Sequence, residues 1–381
     1  MWKRAATTFK GIAVILNAVI SALMLLIYLI PSADPSDYWM LNLLPLLLPF
    51  FIVLQIFFFV FWFFVRRKWI LIPLLSILAC AKPVTALFGF HIWNSNTEPP
   101  SGSIQITGWN VHTFGFFTEK NRLNTTMLSY IKDLHSDIFC AQELVFSLDE
   151  NDSLSLNKLK KKLGFKYVYT GNDSAFGVYA HRGPQSKLKY HPFCLAIFSN
   201  YPILRAKKTQ PVPEYNHTFI WVDLQIGMDT VRVFNIHLQS LHFVKKDYAF
   251  IENIDQQNVD SVSNGGRTIL MKMKDANFQR AIQVLAVKDE LRRSPYPVIL
   301  CGDFNDVPNS YAYQTIRSEL RDAFSDKGYG IGRTFRYLAP TLRVDYIFYH
   351  PSFQIKSFQT GQITLSDHKP VTAVFEASAI R

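Results

Sequence analysis

The chain has 381 residues, 49% of them hydrophobic, with 40 Lys and Arg against 29 Asp and Glu and a formal net charge of +11. This length excludes one small domain, and the concentration of apolar residues before about residue 92 argues against a chain that is soluble throughout. The first 100 residues hold seven basic and three acidic side chains, so the remainder has a net charge of +7. That charge suits a phosphate-bearing substrate, nucleic acid or an anionic lipid surface, but a merely basic surface fits equally well.

Three apolar stretches in residues 1–92 are long enough to cross a bilayer, which takes about 20 residues. They cover about residues 11–30, 41–65 and 69–90. The third contains Lys82, whose insertion costs about 2.5–3.5 kcal/mol, but its many Leu, Ile, Val and Phe side chains, at roughly −0.3 to −0.6 kcal/mol each, still favour crossing. A signal peptide is the competing interpretation of the first stretch, whose apolar run is too long for one. We therefore predict a three-helix transmembrane segment.

Basic residues in the short flanks predict the orientation of these helices. Lys3, Arg4 and Lys10 precede the first stretch, residues 66–68 are all basic, and the loop 31–40 has two Asp and no Lys or Arg. The amino terminus and residues 66–68 should be cytoplasmic. Three crossings then place the rest of the chain outside the cell (inner) membrane, whereas a third stretch that does not cross would leave it in the cytoplasm.

Residues 93–103 have the Asn, Ser, Pro and Gly composition of a linker, and residues 104–381 form the predicted catalytic domain. Short runs rich in Val, Ile, Phe and Tyr predict strands, and amphipathic stretches predict helices. The strand-like runs are residues 103–111, 137–143, 195–200, 229–238, 296–305 and 343–350, and the helical stretches are residues 122–135, 154–163 and 275–292. The single cysteines at positions 80, 140, 194 and 301 have no metal-site or disulfide spacing and are interpreted as small core residues.

Polar residues follow several of the apolar runs, where side chains converge at one edge of a sheet. In the segment GDFND, Asp303 and Asn305 lie two positions apart, so in extended chain both point the same way. Asp345 interrupts an apolar strand, where a carboxylate is costly unless it is paired. A buried Asp that holds a His in one tautomer would satisfy both groups, and Asp367 and His368 follow near the C-terminus.

The ordered set of these motifs resembles the endonuclease/exonuclease/phosphatase family over nearly all of residues 104–376. That family includes deoxyribonuclease-type and abasic-site nucleases, neutral sphingomyelinases and inositol polyphosphate 5-phosphatases. The matching residues are Asn110 in GWNVH, Glu143 in CAQE, His237 in NIHL, Asp303 and Asn305 in GDFND, Asp345 in RVDYIF, and Asp367 and His368 in SDH. The resemblance implies an α/β fold, a four-layer sandwich of two packed mixed β-sheets flanked by helices.

The resemblance also implies the roles of these residues. Glu143 would be the principal Mg²⁺ or Mn²⁺ ligand, with Asn110 beside it and Asp367 as a further metal contact; hard oxygen ligands suit these ions. Asp303 would position or deprotonate the attacking water, and Asn305 would hold a phosphate oxygen. His368, oriented by Asp345, would stabilise the phosphoryl oxygens or assist proton transfer, and His237 would be a second phosphate-side or leaving-group contact.

Two further residues are open to interpretation. Arg280 either supports the site or is a structural or solvated arginine. His112 stands where abasic-site nucleases carry an acid, which puts abasic-site specificity and a second metal at Asn110 in doubt. The sequence lacks a GxSxG elbow, a Walker loop, an HExxH motif and a CxxC pair, so other hydrolytic mechanisms are disfavoured.

Several substrate classes remain open at this point. We expect a membrane-anchored nuclease-like phosphodiester hydrolase, an endonuclease or exonuclease, because the domain is basic. The alternatives are a phospholipid phosphodiesterase of sphingomyelinase type, favoured by the position beside a bilayer, and a phosphomonoesterase on a phosphorylated small molecule. A binding module on an inactive scaffold is a third class, disfavoured because every aligned catalytic position carries a competent side chain.

Overall fold

The computed structural model describes residues 2–91, 102–117, 123–147, 149–170, 190–209, 211, 219–254 and 259–376. The first of these ranges is almost entirely helical. Its α-helices are α1 Trp2–Leu26, α2 Pro35–Tyr38, α3 Leu44–Val65, α4 Leu71–Ala79 and α5 Ala81–Leu87, with short 3₁₀ turns at Ile27–Ser32, Leu41–Leu43 and Arg67–Ile70. Two helical segments, Thr7–Ile30 and Leu41–Val65, are long and apolar enough to cross a membrane.

Helices α1, α3 and α4 pack against one another. The Trp62 indole of α3 donates to Asn17 Oδ1 of α1 at 3.2 Å, and the Asn17 amide donates to Gln55 Oε1 at 2.6 Å. Such buried polar contacts hold apolar helices in register. Cys80, after α4, donates to the Met24 carbonyl near the end of α1 at 3.6 Å. Helix α4 therefore runs back beside α3 and ends next to the C-terminal end of α1.

The predicted third span over residues 69–90 is not one continuous helix. That stretch is a pair of helices, Arg67–Ala79 and Ala81–Leu87, bent by 64° at the break. Pro83 has no backbone N–H, so it cannot continue the hydrogen-bond ladder of the helix. Its carbonyl accepts a hydrogen bond from the side-chain amide of Asn309, in the C-terminal domain, at 3.0 Å. Lys82 is exposed at this bend. Residues 81–90 thus turn out of the helical bundle to contact the domain that follows.

Within the described residues, the strands form two six-stranded mixed sheets and one short pair. The strands are β1 Gly89–Phe90, β2 Ser103–Asn110, β3 Ile138–Ser147, β4 Tyr167–Tyr169, β5 Tyr190–Ser199, β6 Ile203–Thr209, β7 Phe219–Ile226, β8 Asp229–His237, β9 Val298–Asp303, β10 Arg321–Asp322, β11 Tyr329–Gly330, β12 Asp345–Tyr349, β13 Ile355–Thr360 and β14 Val371–Glu376. The orders are β10-β12-β9-β8-β7-β6 and β13-β14-β2-β3-β5-β4, with β1 paired to β11. The β2–β3 and β8–β9 pairs are parallel and the others antiparallel.

The α-helices of this part of the chain are α6 Thr125–Asp133, α7 Leu156–Leu163, α8 Lys245–Glu252, α9 Val259–Arg292, α10 Tyr311–Arg317 and α11 Ala323–Lys327. Helices α6 and α7 cover the outer face of one sheet and α9 and α10 that of the other, as predicted. Apolar side chains from both sheets, including Ile106 and Ile299, pack between them. Val284 of α9 packs outside one sheet and Met127 of α6 outside the other. The predicted four-layer α/β sandwich is therefore confirmed.

Local sequence explains most of these boundaries. The Asn124 side chain caps α6 by accepting from the Met127 N–H at 3.1 Å, and Gly164, with φ of +87°, ends α7 in the left-handed conformation that favours glycine. The predicted start of the last long helix at residue 275 was wrong, because α9 begins at residue 259. Helix α9 contacts α2 and α8. The predicted linker 93–103 lies mostly outside the described residues.

A buried ion pair joins the helical region to the sandwich. Arg343 donates to Asp322 Oδ2 at 2.8 Å and to the Ala86 carbonyl of α5 at 2.6 Å. Both charged side chains are almost completely buried. The chain thus enters its C-terminal domain through a fixed packing contact, followed at once by the β1–β11 pair.

We expect Arg343→Ala to destabilise the protein by about 3–5 kcal/mol, because it leaves Asp322 as an uncompensated buried charge. The thermal unfolding midpoint of the full chain in detergent measures this loss. The matched control is Arg292→Ala, since Arg292 forms a solvent-exposed ion pair with Glu319 and such pairs contribute under about 1 kcal/mol. Equal midpoints for the two variants would contradict the structural role of the buried pair.

Candidate active site

Three of the predicted site residues form a row across adjacent strands of one sheet. Asp303 ends β9, and the register places His237 of β8 opposite it on one side and Asp345 of β12 on the other. The row follows from sequence because β8 and β9 are parallel, so their carboxyl ends meet at one edge. Asp303 and Asp345 are buried, and His237 is 8% exposed.

The second sheet contributes a facing row. Asn110 ends β2 opposite Gln142 of β3, and Glu143 follows directly. The two sheets meet here, because the Asn110 amide donates to Asp303 Oδ2 at 3.0 Å. The side-chain oxygen Oδ1 of Asn110 accepts a hydrogen bond from the backbone N–H of His112 at 3.1 Å. Asn110 therefore connects the two sheets at the edge where the site residues lie.

Glu143 stands out from its strand because the backbone is irregular there. The pairing of β3 with β5 shifts register between Ala141 and Leu144, and Glu143 has a φ of 53°. Bulges and positive φ values of this kind redirect side chains at functional sites. Burial alone would raise the pKa of the Glu143 carboxyl, but the hydrogen bond from His112 and the nearby His237 lower it to about 2.

His112 lies between two carboxylates. Its Nδ1 is 3.4 Å from Glu143 Oε2 and 3.6 Å from Asp367 Oδ1. The hydrogen bond with Glu143 raises the pKa of His112, burial lowers it, and the charge of Asp367 raises it further, so that the pKa lies above its usual value. Sequence reasoning noted His112 only as a departure from abasic-site nucleases. Its position between Glu143 and Asp367 depends on a contact between distant loops, which no sequence pattern reveals.

Asp345 and His368 form the predicted dyad. His368 Nδ1 lies 2.9 Å from Asp345 Oδ2, and His368 Nε2 lies 3.6 Å from Asp303 Oδ2. Burial lowers the pKa of His368, but the carboxylates of Asp345 and Asp303 outweigh it and hold that pKa well above its usual value. The Trp109 indole donates to the His368 carbonyl at 2.9 Å, and the Phe335 ring lies 5.0 Å from the imidazole. The imidazole is thus held in one orientation.

The loop after β9 is braced by hydrogen bonds. The backbone N–H of Asn305 donates to Asp303 Oδ1 at 2.8 Å, and the side-chain amide of Asn305 donates to the Leu238 carbonyl at 3.0 Å. Buried Arg280 of α9 donates to the Asn305 carbonyl at 2.8 Å and lies 3.2 Å from Asp306 Oδ2. Of the two interpretations of Arg280, the structure favours support of this loop.

Two groups of side chains in the site carry atoms of the kind that bind metal ions. Asp303, Asp345 and His368 offer ligand atoms within 4.8 Å of one another, but there the imidazole already bonds Asp345 through Nδ1. The predicted metal residues Glu143 and Asp367 instead converge on His112 Nδ1. The His112 imidazole lies between that pair of carboxylates, and a hard divalent cation is suited to bind the same two carboxylates. The donor chemistry therefore fits Mg²⁺ or Mn²⁺.

Two cavities meet at Glu143 and Asp367. One, of about 540 Å³, also reaches Asp303, Asn305 and His368. The other, of about 650 Å³, is lined by His112, aromatic side chains and Arg336. All eight predicted site residues, namely Asn110, Glu143, His237, Asp303, Asn305, Asp345, Asp367 and His368, lie in this region of the molecule. Sequence reasoning did not identify Phe335, a loop residue with no strand-end signal.

The sequence model described as the Endonuclease/Exonuclease/phosphatase family matches residues 108–368. A second family, described as a domain of unknown function, matches residues 10–87. No curated protein matches the chain.

Among solved structures, humanized D. rerio TDP2 is similar, with 14% identity and a TM-score of 0.49 over 72% of this chain and 99% of that one. The human Nocturnin catalytic domain with bound sulfate has 16% identity and a TM-score of 0.48 over 73% and 96%. A family protein from Bacteroides thetaiotaomicron has 19% identity and a TM-score of 0.47 over 72% and 94%.

We expect Asp345→Asn to lower the pKa of His368, because the substitution removes a carboxylate that raises it. The ¹³C shift of the labelled histidine, followed against pH in the chelator-treated chain, measures the change, with His368→Gln to assign the signal. A raised folded pKa contributes stability that is present below about pH 6.5 and is lost as pH rises through the folded pKa. Asp345→Asn should therefore also weaken that pH dependence. An unchanged pKa would refute the assigned cause.

Proposed function

The chain belongs to the Endonuclease/Exonuclease/phosphatase family and is a phosphoric ester hydrolase in that broad sense, and from this premise we propose a membrane-anchored phosphodiesterase that uses a divalent metal ion. The supporting observation is the contact of Asp303 with both Asn110 and His368 at the meeting point of two sheets. In-line hydrolysis of a phosphate ester uses groups that position water and stabilise negative charge. The cavity offers the Asp303 carboxylate, the oriented His368 imidazole and the carboxylate pair of Glu143 and Asp367.

Each side chain has a role that its surroundings support. Asp303 accepts hydrogen bonds and is suited to orient or deprotonate the attacking water. His368 has a raised pKa, so its imidazolium can stabilise negative phosphoryl oxygens, while Asp345 positions the ring. Asn305 uses one amide N–H for Leu238 and has a second for a phosphate oxygen. His237, 3.6 Å from Asp303, is placed for the phosphate or the leaving group.

The proposed metal residues are Glu143, Asp367 and Asn110. When bound, Mg²⁺ or Mn²⁺ would offset the charge that develops on the phosphoryl oxygens. The low pKa of Glu143 keeps that carboxylate ionised and ready for a cation at neutral pH. In this proposal His112 moves aside or shares the carboxylates when a cation binds.

Three substrate classes are compatible with the proposed phosphodiesterase or phosphatase chemistry, and they differ in the features that support them. A nucleic acid, the class expected from sequence, is supported by the net charge of +7 on residues 101–381. A phospholipid is supported by apolar side chains that line the same cavity as the catalytic residues. A phosphomonoester has no specific feature of the site in its favour.

We propose that the two long apolar helices anchor the enzyme in the cell (inner) membrane. In this arrangement the amino terminus and basic residues 66–68 face the cytoplasm, and the bent pair returns the chain to the opposite side. The contact of Cys80 with Met24 supports that return, because it places the end of α4 beside the end of α1. The catalytic domain is then extracytoplasmic.

We expect metal-dependent hydrolysis of bis(4-nitrophenyl) phosphate by the full chain, abolished by chelator and restored by Mg²⁺ or Mn²⁺. Glu143→Ala and His368→Ala should each lower kcat on the order of 100-fold or more, because they remove electrostatic stabilisation of the transition state. Glu319→Ala, on a carboxylate that pairs with Arg292 on the surface, is the control and should retain activity. Full activity in the presence of chelator would exclude the metal-dependent mechanism.

The orientation is tested by fusing alkaline phosphatase after residue 100, which should give an active, exported phosphatase. The same reporter fused after residue 67 is the control and should be inactive, because the flanking basic residues keep it in the cytoplasm. Inactivity of the first fusion would place the catalytic domain in the cytoplasm.

A further inference from the structure

The cavity that holds the catalytic residues has a second, apolar end formed by the helical region. Besides Glu143, Asp303 and His368, its lining includes Leu43, Leu46, Leu47 and Phe50. These four apolar residues belong to the 3₁₀ turn before α3 and to the first turns of α3 itself. One cavity of about 540 Å³ is therefore lined both by the proposed catalytic residues and by the start of an apolar helix that is long enough to cross a membrane.

The spacing of these residues shows that one face of the helix forms the wall. Positions 43, 46, 47 and 50 recur at three- and four-residue intervals, the period of a helical stripe. Leu47 and Phe50 are 45% and 58% exposed, and the same stripe continues through exposed Leu54 and Phe57. The surface that would contact acyl chains in a bilayer thus runs without interruption into the catalytic cavity.

The opposite wall is also apolar near this end. It is formed by Ile269 and Met273 of α9 and by Leu338, and the neighbouring Leu270 and Met271 are exposed. Methionine is unbranched and adapts to flexible apolar ligands. A hydrocarbon chain is apolar along its whole length and so matches two apolar walls, whereas the backbone of a nucleic acid is charged at every nucleotide.

The second cavity is placed to hold the other ester substituent of a phosphodiester. It shares Glu143, Asp367, Phe243 and Tyr248 with the first cavity, and its further lining includes His112, Tyr337 and Arg336. The Phe243 and Tyr248 rings meet edge-on with centroids 5.8 Å apart. A phosphodiester at the shared carboxylates would thus direct one substituent along α3 and the other into a polar, aromatic cavity.

We propose that the substrate is a membrane phospholipid, whose hydrocarbon portion enters along α3 and whose headgroup occupies the aromatic cavity; this deepens the proposed function and rests on it. The water oxygen bonds to phosphorus, one of the two P–O ester bonds breaks, and the departing oxygen takes a proton. The products are one alcohol and one phosphomonoester. Cleavage on the lipid side yields diacylglycerol, and cleavage on the headgroup side yields phosphatidic acid.

The test uses the full chain in detergent with Mg²⁺ or Mn²⁺. Mixed micelles of phosphatidylcholine, phosphatidylethanolamine or phosphatidylglycerol are compared with single-stranded and duplex DNA, and bis(4-nitrophenyl) phosphate is assayed in the same preparation. Mass spectrometry of diacylglycerol and phosphatidic acid identifies the bond that breaks. We expect at least one phospholipid to be hydrolysed faster than either form of DNA.

Leu46→Trp fills the apolar end and should lower phospholipid turnover, relative to turnover of the small soluble ester, by roughly tenfold. Leu47→Trp is a second variant of the same wall, and the ratio corrects for any loss of folded protein. The matched control is Ile56→Trp on the same helix, where Ile56 is exposed and lies outside the cavity lining. This control should keep the wild-type ratio.

Each outcome decides the matter. Hydrolysis of the soluble ester without any phospholipid turnover, faster cleavage of DNA, or a wild-type ratio in both Leu46→Trp and Leu47→Trp would overturn the lipid proposal and leave the proposed phosphodiesterase function standing. If none of these esters is hydrolysed with either metal ion, both the lipid proposal and the proposed phosphodiesterase function are overturned.

Discussion

The site depends on one arrangement of charge, an imidazole held between two buried carboxylates. His368 contacts Asp345 through Nδ1 at 2.9 Å and approaches Asp303 through Nε2 at 3.6 Å. Buried carboxylates are costly without a partner, so the two strands that carry them must keep their register and the last loop must return the imidazole to them. The carbonyl of His368 is in turn held by Trp109. A slip of one residue between β9 and β12 would turn the side chains of either strand to the opposite face.

The helical region packs against the C-terminal domain and lines its cavity. Arg343 and Asn309 hold the carbonyls of α5 from within the catalytic domain, and α3 supplies one wall of the catalytic cavity. Removing residues 1–92 would therefore expose a buried ion pair and open the cavity. The position of the cavity beside a membrane-length helix supports the proposal of an amphiphilic substrate.

Much of the fold was predictable because strand composition and helical period are local properties. The runs ending at Asn110, His237 and Asp303 are strands, and their terminal polar side chains meet because parallel strands end at the same edge. Two helices differ from their predicted bounds. Residues 69–90 bend at the break between Ala79 and Ala81 and contact the following domain through Pro83, and α9 starts 16 residues earlier than its amphipathic period indicates.

The sequence by itself determined the family, the apolar helices and the set of polar residues that converge, since motif order and hydrophobic period are readable along the chain. Only the tertiary structure decided that His112 lies between Glu143 and Asp367, and that Leu46 shares a cavity with His368. Those contacts join segments far apart in the sequence and depend on how loops and helices pack, so no local pattern encodes them.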